Sequence, residues 1–214
     1  MIIKSHKTTP KRHHGHATDL THKALSLAIA QQGTSKRNLA LITVSCGVGL
    51  RAKEISSLTW NMVLQEDGTV GNELRLPNHV AKKHSGGTLP LAPNVVVALE
   101  RLRQQSQVKK PMPSTDAIFI SQRTRKALTR QAVVDLFKRI WMKAGINASS
   151  HSGRRFFATT AARSVSTVGG SLRDVQILMR HSSLQTTQLY ISPNTKAQIE
   201  LVNIVGKQLR SAAA

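Results

Sequence analysis

Acids are scarce in this chain. Its 214 residues hold 10 Asp and Glu against 31 Lys and Arg, a formal net charge of +21. A body so unbalanced repels itself until a polyanion neutralises it. Nucleic acid is the first candidate, and an anionic membrane surface the second. The cations are spread through helical segments rather than gathered in one tail, which favours a protein that lies along phosphate. Aromatics are also sparse, at 3%, so the core must be built from Leu, Val, Ile and Ala. The single cysteine, Cys46, excludes an internal disulfide. It sits in the apolar run LALITVSCGVGL and reads as a buried structural thiol. No apolar run approaches the ~18 residues of a membrane span. The opening MIIKSHKTTPKRHHGH lacks the apolar core of a signal peptide. These absences point to a cytoplasmic protein with no membrane partner.

The chain is long enough for one substantial domain. Residues 1–17 read as a flexible basic arm that orders on DNA, with Lys11 and Arg12 as phosphate contacts. His13, His14 and His16 have no Cys or acid at ligand spacing, so neither metal nor cofactor is expected. Helical signals begin at Thr18 and stop at Gly33. Ser35 then caps a helix over Lys36 to Cys46, apolar nearly all round and hence central to the core. Gly47 and Gly49 break it, and Arg51 opens a short helix.

An arginine at a helix start opposes the dipole unless it shares an anion with the terminal amides. Glu54, three residues on, is placed to brace it. Taken alone, the two read as readily as a surface ion pair.

From Leu58 to Leu91 the period shortens. Met62–Leu64, Glu73–Leu76, Val80–Lys82 and Thr88–Leu91 read as a small antiparallel meander. Lys82 and Lys83 precede its Ser85–Gly87 turn, either reaching into a groove or serving as edge-strand charges. Pro93 starts another helix. Ser121–Arg130 carries Arg123, Arg125, Lys126 and Arg130 without an acid, as phosphate contacts would. A helix over Thr129 to Ala144 ends at Gly145. The predicted class is mainly α with a small antiparallel sheet, α+β.

The segment His151–Tyr190 concentrates the chemistry. His151 and Arg154 share one helical face, while Arg155 points toward a neighbouring phosphate. Ser171 and Asp174 form a capping box for a helix that ends at Arg180 and His181. A short helix then carries Thr186, Thr187 and Tyr190, the only tyrosine. A phenol is a poor nucleophile at neutral pH, with an ordinary pKa of about 10. It becomes useful where arginine forks clamp phosphate and a histidine moves its proton.

Arg51, Lys82, His151, Arg154, His181 and Tyr190, taken in order, resemble the catalytic domain of the tyrosine recombinase (phage integrase) family. GLRAKE resembles its first arginine box, with Glu54 at the acidic position. In AKKHSGGTLP, Lys82 stands eight residues before Pro90, like the family's hairpin lysine. HSGRR resembles the His-x-x-Arg box. LMRHSSLQTTQLY resembles the last box, with nine residues from His181 to Tyr190. The likeness covers roughly residues 18–205 within a catalytic domain set at 18–214.

The resemblance implies a site-specific DNA recombinase, independent of metal and ATP. Tyr190 would attack a phosphodiester and form a 3′-phosphotyrosine. Arg51 and Arg154 would bind the scissile phosphate. Lys82 would protonate the leaving oxygen, His151 would assist proton transfer, and His181 would hydrogen-bond the phosphate. It also implies double-stranded DNA as partner, a homotetramer on two duplexes and an accessory DNA-bending protein. Nucleoid association would follow from DNA binding. A non-catalytic DNA-binding protein on the same fold and a type IB topoisomerase-like enzyme stay open as alternatives.

Three features depart from the family. Few residues precede the pattern, as expected of a catalytic-domain-only form. Ser152-Gly153 replaces an acid-leucine pair, with a glycine cost of up to about 1 kcal/mol in a helix. Arg180 stands where glycine is usual, and is expected to contact DNA. A final helix over Thr195–Gln208 packs either on its own domain or on a neighbour.

Overall fold

The computed structural model describes residues 20–33, 35–81, 85–107, 115–190 and 195–212, with 107 and 206–212 as backbone only. Nine α-helices and one two-stranded sheet are present among the described residues. The mainly helical α+β expectation holds. Lys11, Arg12, Lys82 and Lys83 lie outside the described residues.

Helix α1 (His22–Ala30) begins where the Thr21 hydroxyl accepts the Ala24 amide. Helix α2 (Lys36–Gly47) is the hub, with Ala40, Leu41, Ile42, Val44, Ser45 and Cys46 buried. Burying a leucine such as Leu41 contributes about 1.5–3 kcal/mol. Burial pushes the Cys46 thiol up to about 12, so it is a packing group and not a thiolate. Gly47 is still the last residue of α2 rather than its break, and helix α3 (Ala52–Ser56) follows after a loop with one glycine, Gly49.

The meander is smaller than its sequence suggests. Strand β1 (Glu73–Leu76) pairs antiparallel with β2 (Gly87–Pro90), from Glu73 opposite Pro90 to Leu76 opposite Gly87. Met62 ends a 3-10 turn (Trp60–Met62) instead, and Leu64 makes only an isolated bridge to Val70. Val80 lies in a turn that begins at Pro77, where its amide bonds the Pro77 carbonyl. Met62 and Val80 are buried and Leu64 half-buried as anchors of turns, so hydrophobicity there did not signal pairing.

Helix α4 (Pro93–Gln107) packs on α2, and α5 (Arg130–Lys143) packs on α3. Thr129 caps α5 through the Ala132 amide. The Trp141 indole donates to the Ser149 carbonyl at 3.1 Å, fixing the loop that enters α6 (Ser152–Ser164). A 3-10 turn (Val165–Val168) leads to α7 (Leu172–Met179), whose start is the expected Ser171–Asp174 capping box. Helices α8 (Leu184–Gln188) and α9 (Thr195–Ala212) end the described chain.

Two apolar clusters result. A large one joins α1 to α5 and the sheet. A small one holds Ala158, Val175 and Met179, with Phe157, Val165 and Tyr190 resting against it. No helix of the described residues is long and apolar enough to cross a membrane.

Candidate active site

The site forms where the entry to α3, the start of α6, the end of α7 and the residues after α8 meet. Arg51 precedes α3, and its side chain is 21% exposed. Glu54 is 1% exposed and holds Arg51 twice. One carboxylate oxygen accepts Arg51 Nη1 at 2.8 Å, and the other accepts the Arg51 amide at 2.8 Å. Glu54 thus satisfies the Arg51 amide at the start of α3 from within the helix itself.

Arg154 is buried in α6, 4% exposed. Its Nη1 donates to the Gly49 carbonyl and its Nη2 to the Met179 carbonyl. It therefore ties the α2–α3 loop to the end of α7. Gly49 can present that carbonyl because its φ of +71° suits glycine. Burial and the charge of Arg51 pull the Arg154 guanidinium down to about 10, so it stays cationic at neutral pH.

Gly153 has a packing reason. A Cβ there would lie 2.3 Å from the Ser45 hydroxyl oxygen of α2. The glycine expected to weaken α6 is what lets α6 lie against α2 and brings Arg154 within reach of Gly49.

His151 stands at the position before α6 without a capping bond from its side chain, and is exposed. Desolvation, then the charges of Arg155, Arg154, Arg51 and Arg130, lower its pKa. It shares a 350 Å³ cavity with Arg51, Glu54, Ser150 and Arg130. At the end of α7, His181 follows Arg180, and its ring stacks on Tyr190 with centroids 5.9 Å apart and planes 11° apart. Desolvation and the charges of Arg154, Arg51 and Arg180 lower His181 to about 4, so it is neutral at pH 7. A second cavity of 430 Å³ is lined by Arg51, Gly86, Arg180, His181, Ser182 and Thr186. Five of the six residues proposed from sequence thus sit within one another's electrostatic or ring contact; the sixth is Lys82, which lies outside the described residues.

The family model for "Phage integrase family" matches residues 18–197. The chain belongs to the phage integrase family. Tyrosine recombinase XerD of Pseudomonas putida is 33% identical over 163 residues, covering 74% of this chain and 50% of that protein. Tyrosine recombinase XerC of Proteus mirabilis is 30% identical over 158 residues, covering 73% and 47%. The chain therefore spans about half the length of the curated relatives it matches. Among solved structures, XerA recombinase superposes with a TM-score of 0.67 at 23% identity, covering 92% of this chain and 66% of that one. The Tn1549 transposon integrase in complex with transposon right end DNA superposes with a TM-score of 0.67 at 20% identity, covering 90% and 68%. These likenesses show the tyrosine recombinase catalytic-domain fold.

Within this integrase-family site, several supporting residues were not foreseen. Thr187 is fully buried, with its hydroxyl 3.0 Å from His181 Nδ1. Gln176 donates to the His181 carbonyl at 2.9 Å. The Ser152 hydroxyl accepts the Ser149 amide and Arg155 Nη2. Their signal in sequence was only that they are polar on otherwise core-facing positions.

Of the expected DNA contacts, Arg130 and Arg155 flank His151. Arg123, Arg125 and Lys126 are exposed on the Ser121–Lys126 turn. Arg180 corrects its expectation. Its side chain is 5% exposed and turned inward onto Glu54, so it does not present its guanidinium to a surface phosphate.

Proposed function

We propose that this domain is a site-specific DNA recombinase that cuts and rejoins double-stranded DNA through Tyr190. The observation that carries the reading is the stacking of Tyr190 on a neutral His181 beside Arg51 and Arg154. The phenol oxygen attacks the scissile phosphorus, the P–O5′ bond breaks, and a 3′-phosphotyrosine and a 5′-hydroxyl result. Arg51, 21% exposed, clamps a non-bridging oxygen of the phosphate. Arg154 adds its charge from behind and fixes the loop and the α7 end that face the phosphate. The Thr187 hydroxyl is 3.0 Å from Nδ1; in the tautomer where it donates there, His181 carries its proton on Nε2 and can donate to the phosphate.

His151, its pKa lowered by desolvation and then by its arginine neighbours, accepts the phenolic proton. Lys82 is assigned protonation of the leaving oxygen on the family resemblance. The phosphotyrosine bond conserves the energy of the phosphodiester, so a second 5′-hydroxyl religates without ATP. No metal enters this scheme. A homotetramer on two duplexes, an accessory DNA-bending protein and residence on cytoplasmic nucleoid DNA complete the proposal.

The test is incubation with DNA from the flanks of the gene, followed by a denaturing gel. Protein-linked DNA from the wild type, absent from Tyr190→Phe, is expected. Equal adduct from Tyr190→Phe overturns the reading. Relaxation of any supercoiled plasmid, without site dependence, replaces it with a topoisomerase-like activity.

A further inference from the structure

Arg180 stands at the end of α7 in the left-handed region, φ +52° and ψ +48°. A side chain there is strained where glycine would be relaxed. Its guanidinium donates Nη2 to Glu54 at 2.7 Å across 126 positions of sequence. Its Nε and Nη1 are buried without a hydrogen-bond partner. Both features oppose folding, so neither is explained by stability alone.

What the residue does is visible at Glu54. One buried carboxylate is gripped by Arg51 on one side and Arg180 on the other. Removing Arg180 takes away the cation on the Glu54 oxygen that also accepts the Arg51 amide, leaving the carboxylate free to turn and carry the bonded Arg51 guanidinium away from a phosphate. The geometry points to Arg180 as a positioning residue: by sharing Glu54 it holds Arg51 outward toward the scissile phosphate. This rests on the recombinase reading above. The charge reaching His181 comes from Arg154 on α6, Arg51 before α3 and Arg180 itself, with Tyr190 stacked on its ring and Glu54 behind Arg180.

The variants that separate positioning from structure are Arg180→Gly, which relieves the backbone, and Arg180→Lys, which keeps a cation. Arg180→Gly is expected to melt no lower than the wild type and to bind DNA within threefold. Its single-turnover adduct formation is expected to fall by tenfold or more. Arg180→Lys is expected to recover part of that rate, as is added guanidinium at millimolar concentration with Arg180→Gly. In the DNA-free protein, the His181 ring should titrate higher in Arg180→Gly than in the wild type, read by NMR. That titration stands whether or not the protein cleaves DNA. An Arg180→Gly variant that cleaves at the wild-type rate, or an unmoved His181 titration, overturns the inference. Absence of adduct from the wild type overturns the recombinase reading, and the positioning role with it.

Discussion

The two halves of the site are held in different ways. The arginine half spans both clusters: Arg51 and Glu54 flank the buried Ala52 and Ile55 of the large core, while Arg154 and Arg180 stand on α6 and at the end of α7. Arg51, Glu54, Arg154 and Arg180 are fixed by short hydrogen bonds to one another and to two backbone carbonyls. The tyrosine half rests on a cluster with three buried residues, Ala158, Val175 and Met179. Tyr190 lies beyond a five-residue helix, beside Leu189 at 85% exposed. Farther on, α9 presents Ile199, Leu201, Val202, Ile204 and Val205 to solvent. A phosphate-binding half gains from preorganisation, because dipoles fixed in advance need no rearrangement as charge develops. A nucleophile must approach, bond and depart, and a light scaffold serves that.

Replacing the residue that ties the loop before α3 to α7 should have the largest effect. Arg154→Ala leaves the Gly49 and Met179 carbonyls without their partner, a cost of about 1–3 kcal/mol for each group. Adduct on a denaturing gel should be lost and the melting temperature should drop, by about 2–4 °C per kcal/mol at this size. Arg154→Lys should restore little, since one ammonium cannot span both carbonyls as the fork does.

The contrast between the clusters is sharpened by a matched pair. Leu41→Ala and Met179→Ala each empty a fully buried position, and each should cost roughly 2–5 kcal/mol. At a temperature where both remain folded, only Met179→Ala should slow cleavage, by roughly tenfold, because Tyr190 packs on its cluster. Equal rates in single-turnover assays would mean that the two clusters support the site alike.

Gly153→Ala should drive a methyl into Ser45 and destabilise by about 1–3 kcal/mol, read by thermal melting. Adding Ser45→Gly to the same chain should recover most of the loss. The smallest effect sits where the halves touch. His181 has its pKa lowered from 6.5 to about 4, so folding favours its neutral form. Its contribution to stability is complete above pH 6.5 and is lost as pH falls toward 4. NMR of its ring should show no titration near 6.5 in the DNA-free protein.

Much of this was legible in the sequence because it depends on local spacing. The Ser171–Asp174 capping box and the His151–Arg154 turn are set by residues three or four apart. The Arg51–Glu54 pair is also local, although its burial was not visible. What failed depended on distant partners. Arg180 read as a surface cation because Glu54 lies far away in sequence. Gly153 read as a weakness because the α2 surface it meets is more than a hundred residues upstream. Met62 and Leu64 read as strand because a short apolar run does not separate a pairing edge from the anchor of a turn.

The most direct measurement is protease digestion of the trapped DNA adduct, with mass spectrometry of the nucleotide-bearing peptide and 5′ end-labelling of the released strand. The account predicts a 3′-phosphate linked to the peptide that contains Tyr190, and a released strand that a kinase labels without prior phosphatase treatment. A linkage at any other residue, or a released strand carrying a 5′-phosphate, would contradict it.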